Sequence, residues 1–436
     1  MKLIENGIMK FDYQFPLYNF FFPSQTSDSS SVNAVELASL LNEASGHACS
    51  RALYFHIPFC EKICSFCPFT KGLYQHPDQI DNYVEALLKE IKNKSQIMDL
   101  KAVPISAIFF GGGTPSLLSA THIKVLGATI RSHFDISNLK EFSFEFSTTS
   151  VTSDRVSALV DIGVTHARFG LQTIDPEWRR LFNLAPDLQQ IETANSILCS
   201  NFKNVLCDIL YGMNGSTEEQ TILDIDYAVR LGVTNIDIYP INNAATSVKL
   251  HKALKSRTSS VMNATRKLNM KLLIDEHLRS YGYVPYNGHG YRHAPEQAQL
   301  LYADDYRFIY HEHVYGYSDH DVLGFGVGAI SALYGCTLTN TSSRERYIED
   351  SQEGKFSCQV SKHPALLQEV RPLIMGLPYH GDLLKSRLDA TYFPDRLLAR
   401  LGELRAAGLV DETATHYRLT RMGWLWYSNI MFYLSE

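Results

Sequence analysis

The chain has 436 residues, 45% of them hydrophobic, and a formal net charge of -6. That length exceeds one ordinary domain, so one large domain with a smaller appendage around a sizeable core is expected. The acidic balance argues against a general nucleic-acid binder, no apolar run reaches the ~18 residues of a membrane span, and eight cysteines of which only three cluster make no disulfide framework.

Residues 1–50 are rich in Phe, Tyr and Ser and read as an arm held to the main body by its aromatics, with a short helix near Val35 to Leu41. Met1 to Phe22 mixes charges into its apolar residues, unlike a secretory signal, so a reducing, cytoplasmic setting is expected. From Ala52 onward β-rich runs alternate with amphipathic stretches. Strands are expected at Ala52 to His56, Ser106 to Phe110, Glu141 to Phe146, His166 to Leu171, Asn204 to Leu210 and Asn235 to Tyr239. Helices are expected between them near Gln79 to Lys92, Thr121 to Arg131, Ser153 to Asp161, Asp187 to Ser200 and Thr217 to Arg230. Such alternation implies parallel strands joined by right-handed crossovers. Six units over residues 51–285 suggest an α/β fold, an open, partial (β/α)6 TIM-like barrel with ligands at the carboxyl ends of its strands.

Thr258 to Tyr281 reads as one long helix, and residues 286–362 as a loop-rich extension. Residues 363–436 read as a mostly helical cap. Helices at Pro364 to Met375 and Pro394 to Ala407 precede a hairpin around the polar turn Asp411 to Thr415, a winged-helix-like pattern.

The first strand runs into Cys60, Cys64 and Cys67, spaced C-x3-C-x2-C. Thiolates this close are soft ligands for an iron–sulfur cluster or for zinc. Zinc needs a fourth ligand, for which His47, Cys49 and His56 are near enough in sequence. A 4Fe-4S cluster on three cysteines instead keeps one iron open to a small molecule with an amine and a carboxylate. Gly111-Gly112-Gly113-Thr114-Pro115 follows the second strand directly, where missing side chains let the main chain approach a ligand's amino group. Glu145 ends the third strand, Gln172 the fourth, and Asp208 lies on the fifth. A carboxylate in apolar surroundings needs a partner such as an ammonium or a ribose hydroxyl. Gly324 to Ser331 is glycine-rich but joins no strand to a helix, so it fails as a dinucleotide fingerprint.

Together these residues resemble the radical S-adenosylmethionine (SAM) superfamily, and Tyr54 to Cys60 resembles its oxygen-independent coproporphyrinogen oxidase (HemN-like) branch. The resemblance implies a 4Fe-4S cluster on Cys60, Cys64 and Cys67 whose open iron binds S-adenosylmethionine, cleaved to methionine and a 5'-deoxyadenosyl radical. A bare zinc site predicts none of the later motifs. The resemblance puts Gly112, Gly113 and Thr114 at the methionine amine, Glu145 on the first S-adenosylmethionine and Ile330 along its adenine. Tyr54, Phe66 and Ile241 complete that cofactor-binding set. Gln172 and Asp208 match positions that hold a second S-adenosylmethionine and join the cysteines as catalytic residues. Arg168 is as well explained by an internal salt bridge as by a ligand contact.

Two departures from the family matter. Phe69 stands where coproporphyrinogen oxidases usually carry a fourth cysteine. Leu184 replaces an arginine that pairs with the second carboxylate, a charge-assisted contact worth ~1.5–3 kcal/mol, for which Arg179 or Arg180 would have to substitute. The two departures count against porphyrinogen decarboxylation and, to a lesser degree, against the second site; the missing fourth cysteine and the stretch Ile238 to Asn243, which resembles tailoring enzymes, turn the expectation toward class C methyltransferases and cyclopropanases. Such enzymes use the second S-adenosylmethionine as carbon donor to an unsaturated small-molecule acceptor. Porphyrinogen decarboxylation, haem ring opening and a haem-chaperone role are the alternatives. Acceptor-side candidates are Tyr239, Asn242, Asn243, His289 and Arg292. An electron donor such as flavodoxin or ferredoxin is implied, and neither nucleic acid nor membrane.

Overall fold

The computed structural model describes residues 4–5, 8–9, 22, 30–31, 33–241, 247–256, 262–356 and 358–435. Helix α1 (Ala34–His47), capped by Asn33, buries Leu37, Leu41 and Ala44 against the body. Strand β1 (Ser50–Ile57) follows, with Ala52, Leu53, Phe55 and Ile57 wholly buried. A strand covered on both faces belongs in the middle of a parallel sheet.

On one side of β1 lie β2 (Ile105–Gly112), β3 (Glu141–Phe146), β4 (His166–Gln172), β5 (Asn204–Tyr211) and β6 (Asn235–Pro240), each parallel to its neighbour. The crossovers are α2 (Pro77–Ile97), α3 (Ala120–His133), α4 (Ser153–Ile162), the pair α5 (Pro176–Phe182) and α6 (Leu188–Asn201), and α7 (Glu218–Arg230). Ser119, Asp175, Asp187 and Thr217 start four of these helices by accepting an otherwise unpaired N–H of the first turn.

Beyond β6 come α8 (Val248–Ser256), α9 (Ala264–Ser280), β7 (Tyr283–Pro285) and β8 (Gly290–His293). Helix α9 begins at Ala264, capped by Asn263, rather than at Thr258; residues 257–261 lie outside the described set. After α10 (Ile309–Tyr315), β9 (His320–Phe325) pairs in parallel along the other edge of β1, making seven parallel strands where six units were expected. The added strand covers an edge that would otherwise present unpaired backbone groups. The antiparallel strands β10 (Ile330–Leu333), β11 (Cys336–Asn340) and, after α11 (Arg344–Gln352), β12 (Cys358–Lys362) continue outward. The sheet order is thus β7-β8-β6-β5-β4-β3-β2-β1-β9-β10-β11-β12, ending on Ser30–Ser31.

The expected helix at Pro364 to Met375 is instead α12 (Ala365–Arg371), a π turn over Pro372–Gly376 and α13 (Leu377–His380). Pro372 has no N–H to give the α pattern, which accounts for the widened turn. The C-terminal residues add a three-stranded antiparallel sheet, Asp382–Leu384, His416–Leu419 and Val410–Glu412 in spatial order, and a helix over Asp395–Ala406. Two closing helices bury Trp424, Tyr427 and Ile430. No helix among the described residues is long and apolar enough to cross a membrane.

Candidate functional site

The loop from Pro58 to Tyr74 carries the three cysteines out from the carboxyl end of β1. Its base is closed by Gly72 N–H donating to the Pro58 carbonyl at 2.7 Å and Tyr74 N–H to that of Cys60 at 2.8 Å. Lys71 Nζ donates to the Cys67 and Phe69 carbonyls at 2.8 and 2.9 Å. On the far side Ser65 N–H donates to Phe182, Ser247 N–H donates to Ser65, and Asn183 Nδ2 donates to Ile63. His56 anchors the loop from beneath: Nε2 donates to the Thr70 carbonyl at 2.8 Å and Nδ1 accepts from the Tyr54 hydroxyl at 2.8 Å. A carbonyl only accepts, so Nε2 carries the proton. Burial lowers His56 to about 4, which keeps the ring neutral.

All three loop thiols are free. Burial raises each of them; Cys64 is pushed up to about 12, with Cys67 and Cys60 adding to the shift and Lys71 and Lys62 opposing it. Among the described residues, the one group of three or more His, Cys and carboxylate ligand atoms that all lie within 4.8 Å of one another is Cys49, Asp319 and His320. The loop sulfurs are therefore spread wider than the about 3.8 Å between thiolates on one zinc ion. An all-thiol donor set suits an iron–sulfur cluster. The fourth ligands that zinc would need are engaged elsewhere. Both His56 nitrogens are hydrogen-bonded, His47 stacks on Tyr334 at 3.9 Å, and Cys49 donates to Asp319 at 3.0 Å.

The glycine run packs directly against this loop. Gly112 has φ +112°, and a Cβ there would fall 2.4 Å from the His56 ring; on Gly113 it would fall 2.7 Å from the Phe59 carbonyl oxygen. Gly112 N–H donates to Glu145 Oε2 at 3.1 Å. The Thr114 side chain draws the Cys60 thiol down against the effect of burial. Cluster loop, glycine run and Glu145 are thus one assembly.

Strand register builds the second half of the site. Glu145 lies opposite Arg168, Gly170 opposite Asp208, and Asp208 opposite Asp237. Arg168 bonds Asp237 and stands 3.6 Å from Asp208, and the Tyr286 hydroxyl donates to Asp237 at 2.5 Å. Burial opposes the guanidinium charge, but Asp237 and Asp208 outweigh it, so Arg168 stays protonated. Burial raises Asp208 to about 7; Arg168 draws it down while Asp237 and Glu145 push it up. Burial also raises Glu145, opposed by Arg168. Three carboxyl groups thus share one guanidinium, a row that favours a cationic guest. Gln172 ends β4 at φ +66°, and Gly170 makes room for it, since a Cβ there would lie 2.2 Å from Gln172 Nε2. Gln172 Oε1 and Asp208 Oδ1 are buried with no hydrogen-bond partner among the described residues. Asp208 Oδ1 has only the Arg168 guanidinium at 3.6 Å, and an amide oxygen left without a donor, as Gln172 Oε1 is, is a place for a ligand's N–H or O–H.

The remaining candidates are distributed less evenly. Tyr54 stacks against Phe109 and meets Tyr310 at a tilt. Phe66 packs edge-on against Phe182 at 5.0 Å in an apolar cluster with Ile241, Leu210 and Leu184. Leu184, in the place of the family arginine, is thus held by packing. Arg179 does not substitute for it: its guanidinium is spent on the Leu171, Thr173 and Pro186 carbonyls, and Arg180 is exposed. Ile330 opens β10, half-buried. The turn before it is tied to β1 through Tyr83, whose hydroxyl donates to the His56 carbonyl and accepts from Val327 N–H.

Tyr239 lies over His289 at 4.3 Å between centroids. Arg292 is not brought to the mouth: it donates to Asn204 and Asn235, which start β5 and β6 at the opposite end of the sheet. Asn242 and Asn243 lie outside the described residues. Sequence reasoning missed Asp237 and Tyr286. The signal for Asp237 was a lone acid inside the apolar run Ile236 to Ile238, on a strand next to one carrying Asp208.

Residues 54–228 match the Radical SAM superfamily. The chain is 25% identical over 390 residues to anaerobilin synthase of Escherichia coli O157:H7, covering 88% of this chain and 84% of that protein. It is 25% identical over 391 residues to the oxygen-independent coproporphyrinogen III oxidase of Salmonella typhimurium, covering 87% and 84%. It is also 25% identical over 389 residues to heme chaperone HemW of Bacillus subtilis, covering 86% and 96%. The solved structure of coproporphyrinogen III oxidase (HemN) from Escherichia coli superposes with a TM-score of 0.77 at 21% identity, covering 96% of each chain. Residues 54–228 thus carry a radical SAM domain, the chain shares the fold of HemN, and over most of its length it is similar in sequence to HemN-type proteins.

Proposed function

We propose that the protein is a HemN-like radical SAM enzyme that binds two S-adenosylmethionine molecules and uses the second as carbon donor, methylating or cyclopropanating an unsaturated small-molecule acceptor. A radical SAM domain implies a 4Fe-4S cluster, S-adenosylmethionine, a reductant and a substrate. The observation that carries the two-ligand reading is the pair of buried atoms without a hydrogen-bond partner, Gln172 Oε1 and Asp208 Oδ1, on the neighbouring strands β4 and β5.

In this reading Cys60, Cys64 and Cys67 hold the cluster, which when loaded supplies the electron that cleaves the first S-adenosylmethionine to a 5'-deoxyadenosyl radical. Gly112, Gly113 and Thr114 present main chain and hydroxyl to the methionine end, and Glu145 accepts from its amine or ribose. Tyr54, Phe66, Ile241 and Ile330 wall the nucleoside. Gln172 donates and accepts through its amide, and Asp208 in its ionised form balances the cationic sulfonium and ammonium of the second molecule. Fixing both ligands in buried surroundings aligns the reacting atoms and keeps water away. A cytoplasmic, reducing setting and a one-electron donor such as flavodoxin or ferredoxin belong to the same reading.

A second reading is tetrapyrrole chemistry, favoured by the relatives' names and by alignment over 86–88% of the chain. Product analysis after anaerobic reconstitution separates the two. S-adenosylhomocysteine together with 5'-deoxyadenosine supports carbon transfer. 5'-Deoxyadenosine alone, formed in the presence of a porphyrinogen, supports oxidation. Tight haem binding with neither product supports a chaperone.

A further inference from the structure

A second group of metal-binding side chains lies at the amino end of the sheet. Cys49 directly precedes β1 and Asp319 directly precedes β9. The eight residues of β1, roughly 26 Å of strand at 3.3 Å per residue, separate this end from the cysteine loop. Strands β1 and β9 pair from Ser50 opposite His320, and Cys49 N–H donates to the Asp319 carbonyl at 2.8 Å, so backbone pairing fixes the spacing between the side chains. Cys49 Sγ lies 3.0 Å from Asp319 Oδ2, and Asp319 Oδ1 lies 4.0 Å from His320 Nε2. One ligand atom from each of the three residues falls within 4.8 Å of the other two. Ligand atoms on one tetrahedral zinc ion stand roughly 3.3–3.6 Å apart, so shifts of about an ångström close the set.

Two of the three residues already share a cation. Arg387 Nη2 donates to Asp319 Oδ1 at 2.8 Å, to Oδ2 at 3.1 Å and to His320 Nε2 at 3.3 Å. A guanidinium only donates, so Nε2 turns a lone pair toward it. The imidazole is held in place by stacking on His313, with 4.7 Å between ring centroids. Arg371, the other arginine nearby, is buried and spent on the Gly316, Tyr317 and His320 carbonyls. Arg387 is 35% exposed and lies over the Tyr317 ring, so it can swing into water. The guanidinium thus stands where a metal ion would, and it is the removable one of the two.

We propose that Cys49, Asp319 and His320 bind a zinc ion, which replaces the Arg387 guanidinium and takes water as its fourth ligand. Thiolate, imidazole and carboxylate are the donors zinc accepts, whereas calcium and magnesium take oxygen alone. On binding, the Cys49 thiol gives its proton to solvent and a Zn–S bond forms; the Cys49 to Asp319 hydrogen bond and the Arg387 ion pair break, and no electron moves. The inference is independent of what the cysteine loop holds and of the reaction the protein performs.

The test uses the full chain loaded with its iron–sulfur cluster under anaerobic conditions, so that the loop cysteines are occupied, and zinc chloride as the probe. Calorimetry is expected to show one zinc per chain. Cys49→Ala should weaken binding by about tenfold or more, since even the outer partners of metal ligands are worth that much. Arg387→Ala should tighten it several-fold, because zinc no longer has to displace a cation; a merely structural arginine gives no such gain. The zinc K-edge spectrum of the wild-type protein should show one sulfur among nitrogen and oxygen neighbours, with iron per chain unchanged.

Failure to bind one equivalent of zinc would overturn the proposal. Undiminished binding in Cys49→Ala, the sign of an adventitious surface ion, would do the same, as would unchanged or weaker binding in Arg387→Ala. The wild-type spectrum needs no variant, so a misfolded mutant leaves the question decided. Two or more sulfurs, or iron lost as zinc enters, put the zinc in the cysteine loop and overturn the site at Cys49. A chain that takes up no iron is judged by the same sulfur count: one sulfur upholds the site whatever becomes of the cluster reading.

Discussion

The Asp208 carboxylate stands 3.6 Å from the Arg168 guanidinium, whose nearer partner is Asp237 on the neighbouring strand. Arg168 is therefore already paired, and Asp208 is left poised for something else.

This division of labour separates two otherwise similar substitutions. Asp237→Asn leaves Arg168 buried without its main counter-ion and is expected to cost roughly 3–5 kcal/mol of stability, the usual penalty for breaking a buried pair. Asp208→Asn removes a carboxylate that burial already disfavours, so it is expected to leave stability unchanged or slightly higher while weakening binding of a cationic second ligand. Urea denaturation curves for the two variants, set beside equilibrium binding of S-adenosylmethionine, check both halves.

The pH dependence follows from the same carboxylate. Burial raises Asp208 from the ordinary carboxylate range to about 7 in the folded chain. Ionisation is thus easier in the unfolded chain, and the empty protein loses stability as pH rises from about 4 toward 7. A cationic ligand favours the ionised form. Its affinity is expected to rise by about tenfold per pH unit below the Asp208 transition and to level off above it, with a proton released on binding. Calorimetry in two buffers of different ionisation enthalpy measures that proton directly; an affinity flat between pH 5.5 and 8 counts against the assignment.

At the glycine run the expected losses are steric. Gly113→Ala would drive a Cβ to 2.7 Å from the Phe59 carbonyl oxygen, and Gly112→Ala would meet the His56 ring at a φ of +112°. Overpacking of this kind typically costs about 1–3 kcal/mol. Because the displaced backbone leads straight into Cys60, iron content per chain should fall along with the melting temperature. Gly163→Ala is the control: it also has positive φ, but its Cβ would meet nothing within 4 Å, so iron content should hold.

Cysteine chemistry offers the sharpest contrast. Cys64→Ala is expected to abolish both the iron–sulfur absorption and the cleavage of S-adenosylmethionine. Cys49→Ala, at the other end of β1 and bonded to Asp319, is expected to keep both. An active Cys64→Ala protein would refute the cluster assignment.

How much of this was legible in the chain differs from element to element. Strand and helix positions through β6 lie within a few residues of their expected places, because apolar periodicity and caps such as Ser119 and Asp187 are local signals. The cysteine spacing and the Gly111 to Thr114 run were legible for the same reason: neighbouring residues suffice to form them. The seventh parallel strand was not, since β9 pairs with β1 across about 270 residues of chain, and nothing within either segment states that pairing. Nor was the Glu145, Arg168, Asp208 and Asp237 row, which register between four strands assembles. Sequence by itself determined which ligand types the chain carries and roughly which elements hold them. Only tertiary structure decided which charges cancel and which stay unpaired, why Arg292 serves the far end of the sheet, and why Arg179 cannot stand in for an arginine at Leu184. The physical reason is that a charge's meaning depends on burial and on partners within a few ångströms, and parallel strands draw those partners from segments distant in the chain.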